Sequence, residues 1–101
     1  MAISSNLTDG GDELTITISG RFDFSSHQEF RDSYEELSGA PARYRIDMRD
    51  ASYLDSSALG MLLLLRDFAG GDQAVVEICN CNADVRKILS ISNFEQLFAI
   101  H

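Results

Sequence analysis

Basic residues are scarce in this 101-residue chain: eight against sixteen acids, for a net charge of −8. Phosphate backbones and anionic membranes attract the opposite sign, so nucleic acid and membrane surfaces are excluded as partners. The bases do not cluster. Arg43, Arg45 and Arg49 recur at near-alternate positions, and Arg86-Lys87 is an isolated pair. The acids are spread too, which suits either a solvated acidic surface or steering toward a basic protein partner. Long apolar runs are also lacking. The longest, Leu59 to Leu65, is seven residues and contains a glycine, whereas a membrane span needs roughly 18. The start, Met1-Ala2-Ile3-Ser4-Ser5, has neither the basic nor the apolar region of a signal peptide. A cytoplasmic location is therefore expected.

Cysteine occurs twice, as Cys79-Asn80-Cys81. That spacing does not fit a C-x-x-C redox motif, and two thiols alone cannot make a zinc site. His27 and His101 lie far off in sequence. Reduced thiols near a strand end are expected, with an opportunistic metal or redox role as the alternative. Neither a metal nor a cofactor is implied. The single proline, Pro41, follows Ser38-Gly39-Ala40 in a break between elements, and Gly10-Gly11 and Gly70-Gly71 mark two more turns.

What is present is ordinary for a globular protein: 45% apolar and 24% charged residues, which argues against disorder, collagen-like repeats and coiled coil. The length suits one domain over residues 1–101. Such a chain buries about two thirds of its surface on folding, enough for one core. Leu14, Ile16 and Ile18 alternate with Thr15 and Thr17, predicting a half-buried strand over 13–19. Residues 2–8 form its expected hairpin partner through Asp9-Gly10-Gly11-Asp12. Ser25 or Ser26 can cap a helix to about Leu37, with Phe30, Tyr34 and Leu37 on one side. Tyr44, Ile46 and Met48 alternate in a strand ending near Met48. A second helix is expected from about Ala58 to Ala69, and a short buried strand within Gln73 to Cys79. Asn82 or Asp84 starts a third helix, and Gln96 to Ile100 suits a last strand. The order ββαβαβαβ predicts an α/β fold, with a sheet at least partly parallel and covered by helices.

The informative segment runs from Asp50 to Arg66: DASYLDSSALGMLLLLR. A strand precedes it, and Asp55-Ser56-Ser57 stands directly before a helix. A hydroxyl there has an obvious structural use as an N-cap. Asp55 could equally cap. Along the helix, Leu59, Leu62, Leu65 and Ala69 share one face, and Ala58, Met61, Leu62 and Leu65 form an alternative core set. Both leave Leu63 and Leu64 off the core stripe, on the side of Gly60 and Asp67. That side is either a deeply buried helix flank or an exposed apolar patch for a partner.

Leu54-Asp55-Ser56-Ser57-Ala58-Leu59-Gly60 closely resembles the D-S-S-G-L-G signature of STAS domains, specifically the bacterial anti-sigma factor antagonists. Gly20-Arg21-Phe22-Asp23, the strand before the motif, AVVEIC in the late strand and Asn82 to Leu89 agree in spacing, so the resemblance covers nearly the whole chain. It implies the STAS fold, a mixed sheet of about five to six strands covered by about three to four helices. It also implies a protein that binds an anti-sigma factor when unphosphorylated, and so frees a sigma factor. A serine kinase, using ATP and magnesium, would switch it off at Ser56 and a serine phosphatase would switch it on. Ala58 departs from the usual glycine and adds a methyl in the first helical turn. The partner-binding residues expected are Asp23, Asp55, Ser57, Gly60, Leu63, Leu64 and Asp67. For Asp23 a turn or cap role is the alternative, for Asp55 a cap, and for Gly60 mere tolerance. The overall resemblance is nearest to members tied to γ-proteobacterial motility and biofilm switches.

Three other functions compete. An enzyme is disfavoured: Ser56 lacks a G-x-S-x-G elbow, there is no phosphate-binding glycine loop, and only His27 and His101 could act as base. No small-molecule substrate is expected. A phospho-acceptor aspartate domain would need an acid pair after the first strand and a later lysine, and the only lysine is Lys87. The third alternative is a STAS subunit of a larger lipid-transport or stress-signalling assembly that is never phosphorylated.

Overall fold

The computed structural model describes residues 3–8, 10–35, 41–73 and 75–100, without the side chain of Asp72. The strands are β1 (Ile3–Leu7), β2 (Glu13–Phe22), β3 (Arg43–Leu54), β4 (Val76–Cys79) and β5 (Ala99–Ile100); the helices are α1 (His27–Glu35), α2 (Ser56–Phe68) and α3 (Ala83–Ile91). Short 3-10 turns at Phe24–Ser26, Gly71–Gln73 and Phe94–Gln96 complete the path. The expected involvement of Ala2, Asp9, Leu37, Ser38 to Ala40, Ala74 and His101 lies outside the described residues.

The five strands form one sheet in the order β1-β2-β3-β4-β5. β1 and β2 make the expected antiparallel hairpin, Ile3 opposite Ile18 and Leu7 opposite Leu14. The remaining neighbours are parallel. Register stacks Leu14 beside Tyr44 beside Val76, and Ile16 beside Ile46 beside Ile78. All six are buried on one face. Sequential parallel strands joined by right-handed crossovers place their helices on that same face. Phe30 and Tyr34 of α1, Ala58, Met61, Leu62 and Leu65 of α2, and Val85 and Leu89 of α3 join the same core. The opposite face carries polar side chains such as Thr15, Arg45 and Glu77. The cysteines are free thiols at the end of β4. Burial pushes the Cys81 thiol up, which keeps it in its poorly nucleophilic form.

Several boundaries differ from the sequence expectation. β3 does not end near Met48; it runs to Leu54. Two irregularities, between Thr17 and Ser19 and between Gly20 and Arg21, give β3 extra residues against β2. As a result Met48, Ala51 and Leu54 are the buried positions, at a spacing of three that strand alternation cannot reveal. Gly20 takes φ +73° there, a conformation suited to glycine. Neither Ser25 nor Ser26 caps α1. Asp23 caps the 3-10 turn that leads into it. α2 starts at Ser56 rather than Ala58, and the last strand shrinks to Ala99–Ile100 behind a turn in which Phe94 stacks on Phe98.

Candidate functional site

The site grows from the paired ends of β2 and β3. Phe22 lies beside Leu54 in parallel register, and both are buried. The next residues, Asp23 and Asp55, therefore leave the sheet side by side along its C-terminal edge. Each carboxylate is turned onto the backbone that follows. The Asp55 carboxylate accepts from the Ala58 amide at 2.9 Å. Asp23 accepts from the Ser25 amide at 3.1 Å and from the Ser25 hydroxyl. The Ser25 hydroxyl bond is the main reason why the Asp23 carboxyl lies below the usual carboxylate value. The alternatives left open for these two acids thus resolve toward caps; a partner role can only be additional.

Asp55 as the cap frees the serine behind it. Ser56 is the first residue of α2 and is exposed; Ser57 is half-buried. Among the described residues the Ser56 hydroxyl has no hydrogen-bond partner, so capping by that hydroxyl is corrected. The amides of the first helical turn have no intrahelical acceptor, and α2 has no acidic side chain in that turn. An anion carried by Ser56 would therefore meet free amides and the positive end of the helix dipole. The Ala58 methyl is fully buried in the core, facing away from this opening.

Beyond Ser56, the core stripe of α2 is Ala58, Met61, Leu62 and Leu65. Leu59 and Ala69 only pack at its margin. Leu63 is 37% exposed and Leu64 52%. With Gly60 and Asp67, at three- and four-residue spacing, they share the outward face. A Cβ on Gly60 would meet nothing within 4 Å, so no internal packing demands glycine. Phe68 continues the patch, 5.0 Å from the Tyr34 ring of α1. The expected residues thus fall into two adjoining groups. Asp23, Asp55, Ser56 and Ser57 lie at the sheet edge, and Gly60, Leu63, Leu64 and Asp67 lie along α2.

Sequence reasoning missed three residues at that edge. Arg21 lies 4.6 Å over the Tyr53 ring and 3.5 Å from Asp23; register pairs it with Tyr53 across the irregular stretch. Phe24, directly after Asp23, is 73% exposed. The available signal was a lone aromatic between turn-forming Asp23 and Ser25.

Comparison with known proteins gives a consistent result. The family model described as "Mlab, STAS domain" matches residues 5–99. A STAS-domain containing protein of Pseudomonas aeruginosa strain UCBPP-PA14 is 62% identical over 100 residues, covering 99% of both chains. Among solved structures, the unphosphorylated anti-sigma factor antagonist SpoIIAA superposes with a TM-score of 0.76 at 17% identity, over 99% of this chain and 87% of its own. A sulfate transporter family protein of Wolinella succinogenes superposes with a TM-score of 0.75 at 13% identity, over 90% and 73%. At such identities the structures share the fold.

Proposed function

The chain belongs to the STAS-domain family, and from that premise we propose that it is an anti-sigma factor antagonist switched at Ser56. Unphosphorylated, it binds an anti-sigma factor and so releases a sigma factor in the cytoplasm. A serine kinase turns it off with ATP and magnesium, and a serine phosphatase turns it on. It acts as one domain, without catalysis of its own. The observation that carries this reading is the exposed Ser56 hydroxyl, without a hydrogen-bond partner among the described residues, at the open start of α2 behind an Asp55 that already supplies the cap.

The chemistry of the switch follows from that placement. Phosphorylation adds about −1.5 to −2 charges at neutral pH. The first-turn amides and the dipole accommodate them, so the domain stays folded. The partner side changes instead. Asp55 adds like charge beside the phosphate, and an apolar surface docked over Ser56, Leu63 and Leu64 would have to desolvate it. Binding is lost without any rearrangement of the sheet. The expected regulon is the motility and biofilm type.

Phosphate-affinity electrophoresis of the protein from cells, followed by peptide mapping, tests the assignment. Phosphate on Ser56 is the expected result; phosphate on Ser57 alone rejects it. A second reading is a never-phosphorylated STAS subunit of a larger lipid-transport or stress-signalling assembly; a transporter family protein shares the fold. It predicts a single unshifted band.

A further inference from the structure

We infer that Phe24 is the apolar anchor with which the unphosphorylated protein grips its anti-sigma factor, seated in an apolar pocket of that partner. The inference rests on the switch reading of Ser56 and adds the residue that supplies affinity beside it. At 73%, Phe24 is the most exposed large apolar residue among those described, and it contributes nothing to the core. Its one ring neighbour among the described residues is His27, stacked at 6.1 Å and 19°.

The backbone that carries the ring is nonetheless held in place. Asp23 fixes the turn through the Ser25 amide and hydroxyl. The Ser26 amide donates to the Asp23 carbonyl at 2.9 Å, and Ser26 is buried. A rigid aromatic with two side-chain torsions loses little freedom on binding. Such residues are over-represented among the few that dominate an interface.

Position and charge choose the occupant. Phe24 stands two residues past Phe22 and Ser56 two residues past Leu54, and those two strand residues are neighbours in register. The ring is thus continuous with the surface that phosphorylation would alter. Both edge carboxylates already face backbone amides. The groups left outward are the Phe24 ring, the Ser56 hydroxyl and the Arg21 guanidinium over Tyr53, so the apolar part of the contact falls to the Phe24 ring, with polar groups at its rim. At longer range the net charge of −8 favours encounter with a partner of positive net charge.

The test uses the anti-sigma factor recovered on immobilised Ser56→Ala protein, identified by mass spectrometry and then purified. It is titrated calorimetrically with wild type, Phe24→Ala, Phe24→Tyr and Ser56→Asp at one salt concentration. Phe24→Ala should raise Kd about thirtyfold or more, with Tm within about 4 °C of wild type. Phe24→Tyr keeps the ring and should stay within about threefold. Wild-type affinity for Phe24→Ala together with a loss for Ser56→Asp overturns the anchor and leaves the switch standing. Wild-type affinity for Ser56→Asp, or recovery of no anti-sigma factor, overturns the switch reading on which the anchor rests.

Discussion

Helices α2 and α3 leave neighbouring parallel strands and begin in the same manner, yet only α3 has a finished start. Each opens on an aspartyl or asparaginyl cap whose oxygen accepts from the amide three residues on, at 2.9 Å in both. At α3 the Asn82 amide also donates to the Ala51 carbonyl at 2.8 Å, tying the helix to β3. Its first residue is Ala83, and Asp84 already answers the dipole. At α2 the first residue is Ser56, with no acid in the first turn. Outward the two differ in where apolar side chains are exposed: α2 presents Leu63 and Leu64 along its middle, and α3 presents Ile91 at its last residue. Capping builds a helix start; what the next residue leaves open decides whether that start can also receive a charge.

Inside the core the two helices should behave alike, and this gives the largest effects. Leu62→Ala and Leu89→Ala, both at fully buried positions, should each cost about 2–5 kcal/mol in denaturant melts. Leu64→Asp should leave Tm nearly unchanged and weaken partner binding. An unfolded Leu64→Asp protein would make the outer face of α2 core and erase the contrast with an interface.

The caps should differ next. Asn82→Ala removes a cap and orphans the Ala51 carbonyl, for a loss of about 2–3 kcal/mol. Asp55→Ala removes one cap and should cost about 1 kcal/mol. Equal losses in parallel chemical melts would mean that the Ala51 tie contributes nothing.

The smallest effects belong to Ser56 itself. Ser56→Ala makes the start of α2 resemble that of α3, and Asp55 keeps the Ala58 amide satisfied. Stability should change by less than about 0.5 kcal/mol. Ser56→Asp should add about 0.3–1 kcal/mol through the dipole at low salt. A drop of more than about 1 kcal/mol in Ser56→Ala would restore the serine as a cap.

Sequence made much of this legible and hid the rest for physical reasons. Strict alternation in β2 and at the start of β3 revealed two strands, the Gly10-Gly11 turn the hairpin, and the order of strands and helices a sheet at least partly parallel. The second half of β3 was hidden because its irregular pairing puts Met48, Ala51 and Leu54 three apart. The motif pointed to Ser56, but an aspartate and two serines in a row are all good caps. Only the Asp55 to Ala58 hydrogen bond decides which one serves. Helical spacing left two core sets for α2, and packing under Met61 and Ala58 selects one. Phe24 had no periodicity to betray it, being a single ring in a polar turn.

The central claim is that Ser56 controls binding without controlling folding. The most direct measurement is a calorimetric titration of folded Ser56→Ala and Ser56→Asp proteins against the purified anti-sigma factor, with melting curves run in parallel. Ser56→Ala should bind as wild type. Ser56→Asp should melt at the same or a slightly higher temperature and bind markedly more weakly. Equal affinity of the two folded variants would contradict the account and leave Ser56 as an ordinary first-turn residue.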